Sequence, residues 1–228
     1  MSVYQLGSLR VVDLTKTLDP KTESRRCHMY RFNTGGPIPD FHTIMDLTSH
    51  LGTHVECPYH HSDDWHDVEQ LPLTAFMGRC VYLKFEDLAP NAHIGAADLD
   101  RISRGRVHAG DIVILDSNHP YPPFTPGTNS SEDKRLFINR ESAEWFKKMG
   151  VKCVGFGDGV SIENCFEDVC AFHDVLMEVD CVFLEVLKNL EELKSEVFFF
   201  SYAPLPIKGL DSCPVRAYAI EGLPGFTE

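Results

Sequence analysis

The chain is short of positive charge. It has 21 lysines and arginines against 34 aspartates and glutamates, a formal charge of −13 over 228 residues. The basic residues are scattered rather than gathered in one stripe, which excludes nucleic acid and anionic membrane as partners. No apolar run approaches the roughly 20 residues that span a bilayer. The opening Met-Ser-Val-Tyr-Gln-Leu-Gly-Ser-Leu-Arg lacks the basic-then-apolar layout of a secretion signal, so a cytoplasmic location is expected. Eight cysteines are present, but none forms a Cys-x-x-Cys pair, and a chain of this size needs no disulfide staples. They are expected to be reduced thiols. No repeat, linker or low-complexity segment divides the sequence, and its length suits one buried core, a single domain over residues 1–228.

Against these absences stands one dense stretch, Ser49-His-Leu-Gly-Thr-His-Val-Glu-Cys-Pro-Tyr-His-His61, with four imidazoles and a carboxylate in thirteen residues. Gly52, the β-branched Thr53 and Val55, and Pro58 disfavour a helix and predict an extended run that breaks at the proline. Alternate side chains of a strand share a face. His50, His54 and Glu56 are then expected on one side, with His60 following beyond the turn and Leu51, Thr53 and Val55 packed inward. Gly52 is expected to leave room for an ion or substrate near the backbone. Histidines also serve as core hydrogen-bonders, but two imidazoles and a carboxylate on one face are a sufficient ligand set for a hydrolytic transition metal. Cys57 has the opposite strand parity to Glu56 and is expected to face away.

Along the rest of the chain, Leu9 to Leu18 reads as a strand ending at Asp19-Pro20. Residues 21–41 read as an irregular active-site loop or subunit arm carrying Arg25, Arg26, Tyr30, Phe32 and Phe41. His42 to Ser49 reads as a strand whose apolar residues are buried. The polar run His61 to Glu69 either orients the ligand imidazoles or is a solvated turn, the turn being expected for Asp63, Asp64 and His66, and Trp65 suits the core, an interface or a flat substrate. Strands are expected over Phe76–Phe85, Gly110–Asp116, Val151–Asp158, Cys181–Leu187 and Val197–Ile207, and helices over Ile94–Ile102, Arg140–Met149 and Phe166–Glu178. The loop Ser117 to Phe124 offers Asn118 and His119 as candidate substrate contacts. Glu185 places a carboxylate in an apolar strand, which calls for a metal ion or an Arg/Lys partner.

The stretch His50-Leu-Gly-Thr-His54-Val-Glu56-Cys-Pro-Tyr-His60 resembles the His-x-Gly-Thr-His-x-Asp-x-Pro-x-His signature of the metal-dependent cyclase family, which includes bacterial kynurenine formamidase and isatin hydrolase. The resemblance runs from Val11-Val-Asp-Leu-Thr-Lys-Thr-Leu to Gly209-Leu-Asp-Ser-Cys-Pro-Val-Arg-Ala. It implies an α/β fold: a single compact domain with a mixed β-sheet or partial β-barrel core flanked by helices, of the swivelling β/β/α type, assembled as a homodimer or homotetramer. It further implies a metal-dependent hydrolase that cleaves the C–N amide bond of a small-molecule substrate, an aryl formamide or cyclic amide. One divalent ion would be held by His50, His54 and Glu56 and a second by Glu56, His173 and Glu185, as Zn²⁺ or Mn²⁺, with His60 as general base and then general acid.

Glu56 departs from the family's Asp. Its extra methylene moves the carboxylate by up to about 1.5 Å, which favours one ion over two and Mn²⁺ over Zn²⁺. Alternatives are a lactone hydrolase or lyase on the same metal, or a non-catalytic metal or small-molecule binding protein. His60 argues against the last, since storage needs no proton shuttle.

Overall fold

The apolar runs predicted as strands form the middle of one ten-stranded sheet. A computed structural model of the chain describes residues 2–119, 133–162 and 165–227. In order, the elements are β1 (Val3–Leu6), β2 (Leu9–Asp13), β3 (Cys27–Asn33), β4 (Phe41–Leu47), β5 (His54–Glu56), β6 (Met77–Phe85), α1 (Ala96–Ser103), β7 (Ile112–Ser117), β8 (Leu136–Phe137), α2 (Arg140–Met149), β9 (Cys153–Phe156), β10 (Val160–Ser161), α3 (Phe166–Met177), β11 (Val182–Glu185), β12 (Val197–Ser201), β13 (Ser212–Pro214) and β14 (Tyr218–Glu221). The large sheet runs β1-β2-β14-β12-β6-β7-β9-β11-β5-β13. β6, β7, β9 and β11 pair in parallel, and the outer strands pair antiparallel. The mixed sheet is the one expected.

Strand parity builds two cores. Val113 and Leu115 of β7 pack with Phe146 of α2 and Phe172 and Leu176 of α3, while Ile112 and Ile114 face the other way, among Cys153, Leu184, Phe198 and Tyr202. α2 starts at an Asn139 cap that accepts from Ser142 N and stops at Gly150, whose φ of 69° suits a residue without Cβ. In a flat sheet β2 and β5 would stand seven strand spacings apart, roughly 34 Å. Instead, Lys16 N, just past β2, donates to Thr53 Oγ1 at 2.8 Å, and Asn189 Nδ2 donates to Asp13 O at 2.9 Å. The sheet therefore curls into a partial barrel around the second core.

Two expectations for residues 21–49 are corrected. The segment is not an irregular loop followed by a buried strand. β3 and β4 form a separate antiparallel ribbon. Its apolar side chains are exposed on both faces, Met29 and Met45 on one and Tyr30 and Ile44 on the other, at 50–66 % exposure. The apolar Ile44, Met45 and Leu47 marked the second strand, but nothing local records that the ribbon stands off the body. Trp65 packs partly buried against the first core. His119 Nε2 hydrogen-bonds to Leu88 O at 2.8 Å, and Asn118 N to Phe85 O at 3.3 Å. His119 is thus tied into the fold, and the remainder of its predicted loop, Pro120 to Phe124, lies outside the described residues.

Candidate metal centre

The site is built around β5, only three residues long, clamped between β11 and β13. Glu56 stands opposite Phe183 on one side and Ser212 on the other, and His54 opposite Glu185 and Pro214. Val55 and Cys57 are buried in the second core as parity predicted, Thr53 is buried beside them, Leu51 is buried against the cleft, and burial pushes the Cys57 thiol well up, which suits packing rather than ligation. The extended run does not reach back to His50. Gly52 has a φ of 61°, so the chain bends there, and Arg25 Nη1 donates to His50 O at 2.6 Å on that bend. Gly52 has a further reason beyond the one expected: a Cβ on it would lie 2.5 Å from Leu18 Cδ2. The absent side chain admits Leu18, and Gly52 also lines the cleft beside the site.

Despite the bend, the predicted residues converge. His50 Nδ1 lies 2.6 Å and His54 Nε2 3.5 Å from Glu56 Oε1. His173, delivered by α3, places Nε2 3.5 Å from the other oxygen, Oε2. Glu185, at the end of β11, stands 3.6 Å from His54 Nε2 through its own Oε2. It is followed by Val186 at a φ of 58°, a β-branched residue in the left-handed region, which costs on the order of 1–2 kcal/mol and marks a constrained turn beside the cluster. His60 is half-buried at the rim, its ring 4.6 Å from that of His50 and 6.0 Å from that of His173.

Charge and burial fit a cation. His54 and Glu56 are 1 % and 4 % exposed, yet His54 Nε2 and Glu56 Oε2 have no hydrogen-bond partner among the described residues. Buried polar atoms left in this way cost free energy unless something binds them. Two donors on one tetrahedral ion at bond lengths of about 2.0–2.1 Å lie about 3.3 Å apart, close to the three separations of 3.5–3.6 Å. The 2.6 Å contact of His50 is a hydrogen bond. His50, His54 and Glu56 have donor atoms within 4.8 Å of one another, as do two overlapping groups, His50 with His60 and Asp211, and His60 with His61 and His173. Glu56, His173 and Glu185 do not form such a compact group among the described residues.

Burial alone would raise the Glu56 carboxyl, but His173, His50 and His54 hold it well below the usual range. Burial lowers His50, and Glu56 and Asp211 outweigh it, raising the imidazole to about 9. His54 and His173 are also raised against their burial, chiefly by Glu56. A divalent cation competes for the electron pairs that those protons occupy. His60 goes the opposite way, pushed down by burial and by neighbouring His50 and His173 against the pull of Glu56 and Asp211.

Asp211 was missed in the sequence, whereas His61 opens the polar run expected to orient the ligand imidazoles. Asp211 Oδ2 lies 2.8 Å from His50 Nε2 and 3.4 Å from His60 Nδ1. His61 stacks on His173, with centroids 4.5 Å apart and planes at 13°, and reaches Asp174 Oδ1 at 2.8 Å. Asp211 belonged to a quoted stretch but had no local signal, because its partners lie some 160 residues earlier. His66 pairs with Asp180 at 2.8 Å on the surface, in keeping with a solvated turn. Beside His50, His54 and Glu185 opens a cleft of about 380 Å³ with an apolar wall of Phe156, Val160 and Ile162.

A family model described as "Putative cyclase" matches residues 12–164. Kynurenine formamidase of Erythrobacter litoralis is 25 % identical over 211 residues, spanning 89 % of this chain and 88 % of its own. Isatin hydrolase of Roseibium aggregatum is 22 % identical, spanning 94 % and 92 %. Among solved structures, isatin hydrolase A from Labrenzia aggregata superposes with a TM-score of 0.76 at 20 % identity over 94 % of each chain. That from Ralstonia solanacearum gives 0.73 at 23 % over 94 % of this chain and 92 % of its own. At these identities the structural likeness speaks for the fold.

Proposed function

Because the chain belongs to the cyclase family, we propose that it is a metal-dependent amidohydrolase that cleaves the C–N bond of a small aryl formamide or cyclic amide. The observation that carries this reading is the convergence of three imidazoles on buried, ionised Glu56 with His60 beside them. In this reading His50, His54 and Glu56 would hold one divalent ion, and Glu56, His173 and Glu185, a less compact set, a second. The carboxylates and imidazoles suit Zn²⁺ or Mn²⁺. A bound ion of this kind supplies Lewis acidity, lowering the pKa of a water toward about 7 and polarising a carbonyl.

The chain's own residues supply the rest. His60 is neutral at pH 7 because its pKa is lowered, so it accepts a proton as general base and returns it to the departing nitrogen as general acid. Its Nδ1 faces Asp211, which leaves Nε2 to exchange that proton. The Phe156, Val160 and Ile162 wall gives a flat ring an apolar surface, and the cleft volume falls in the range of small-molecule sites. Relatives named kynurenine formamidase and isatin hydrolase act on such compounds, which supports the amide reading over the lactone one.

The eight thiols suit the cytoplasm, and no helix among the described residues is long and apolar enough to cross a membrane. A homodimer or homotetramer is supported by the β3–β4 ribbon, since an isolated hairpin apolar on both faces is only marginally stable. A monomer mass in light scattering would contradict it.

The reading is tested by assaying the purified protein against an aryl formamide, a cyclic imide or amide, and a lactone, with and without Zn²⁺ and Mn²⁺. Metal-dependent turnover of an amide is expected. Turnover of the lactone alone, or none that responds to metal, would contradict it.

A further inference from the structure

Each imidazole facing Glu56 is held from behind, but not by the same kind of group. His54 Nδ1 bonds to Gly52 O at 2.8 Å and His173 Nδ1 to Val169 O at 2.7 Å. Both holders are backbone carbonyls, supplied by the bend before β5 and by the preceding turn of α3. Each fixes the proton on Nδ1 and turns Nε2 toward Glu56. His50 is reversed. Its Nδ1 faces Glu56 at 2.6 Å and its Nε2 faces a side chain, Asp211 Oδ2, at 2.8 Å.

The sheet puts Asp211 there. Ser212 of β13 stands opposite Glu56, and Cys57 N donates to Asp211 O at 2.9 Å, so Asp211 is carried into the site by the same strand pairing that positions Glu56. The same Oδ2 lies 3.4 Å from His60 Nδ1. One carboxylate oxygen therefore touches both a proposed metal ligand and the proposed proton shuttle.

We propose that Asp211 is a positioning residue of the metal centre: by accepting Nε2–H of His50 it fixes the tautomer in which His50 binds the ion through Nδ1, while His54 and His173 bind through Nε2. This rests on the reading of His50 as a ligand. A carboxylate behind a metal-bound imidazole sets its orientation and raises its basicity, and loss of such a partner weakens metal binding by about 10- to 100-fold. The mixed tautomer follows from the bend at Gly52, which swings His50 out of the strand that carries His54. The shared contact adds a second effect, because Asp211 also sets the angle from which His60 approaches.

The test measures Zn²⁺ dissociation constants by chelator competition, and visible spectra of the Co²⁺-loaded protein, for wild type, Asp211→Ala and Asp211→Asn. The alanine variant should bind Zn²⁺ about 10- to 100-fold more weakly, with Co²⁺ band intensities that report an unchanged ligand number. Asparagine keeps an acceptor for Nε2–H and should recover most of the affinity. Thermal unfolding of the metal-free proteins shows whether the variants fold, and the asparagine variant, nearly identical in shape, carries the test if alanine does not. Equal Zn²⁺ affinity in all three would overturn the proposal. So would a Co²⁺ spectrum in both variants showing one ligand fewer, with no recovery by asparagine, since Asp211 would then be a ligand. If wild type itself bound no metal, the functional reading would fail before this question arose.

Discussion

Glu56 turns its Oε2 toward His173 Nε2 at 3.5 Å and keeps its Oε1 for His50 and His54. The two oxygens of one carboxylate thus meet different imidazoles, and the compact group around Glu56 is the one with His50 and His54.

Nuclearity depends on Glu185, whose Oε2 lies 3.6 Å from His54 Nε2. If Glu185 and His173 complete a second site, Glu185→Gln should lower the metal content from two ions per chain to one and leave the first ion bound. A stoichiometry of one in both proteins, by anomalous scattering or elemental analysis, would refute the second site and show that the single ion is held without Glu185.

His60 belongs to the same motif as the ligands but stands outside their contacts with Glu56. His60→Ala should keep full metal content and lose about 10²- to 10⁴-fold in kcat, the usual span of general acid–base catalysis. Measured together, metal content and kcat separate the roles: loss of both, partly restored by excess Zn²⁺ or Mn²⁺, would make His60 a ligand.

The central strands, all three helices and the residues meeting at Glu56 were legible because their signals are local or carried by motif. Ile112 to Leu115 alternate between two cores, Gly150 ends its helix, and parity sends Cys57 into the second core and leaves Glu56 to the imidazoles. What failed or was missed depends on distant partners. The packing at Gly52 is explained by Leu18, thirty-four positions earlier, and Asp211 by histidines it meets only through the pairing of β13 with β5. Ile44 and Met45 have the composition of a buried strand, and only the tertiary placement of the ribbon exposes them.

Asp13 closes the curl of the sheet near the opposite end of the chain. Burial would raise its carboxyl, but hydrogen bonds from Arg216 and Thr15 hold it below 3.8. A carboxyl depressed on folding contributes stability above its unfolded pKa and loses it as the pH falls through the folded value. Arg216 is mostly exposed, so the contribution is about 0–1 kcal/mol. Asp13→Asn should lower the Tm at pH 7 by at most about 2–4 °C, and the two proteins should converge in acid as the pH drops below 3.8. A difference that grew in acid would contradict the assignment.

The most direct test of the metal centre is elemental analysis of the purified protein beside His54→Ala, with metal-free thermal unfolding to establish that the variant folds. His54 presents a buried Nε2 to both Glu56 and Glu185, so its loss removes the donor that links the two carboxylates. Wild type should carry at least one Zn²⁺ or Mn²⁺ per chain, and a folded His54→Ala should lose most of it. Equal metal content in the two proteins, or none in wild type after incubation with either ion, would contradict the account.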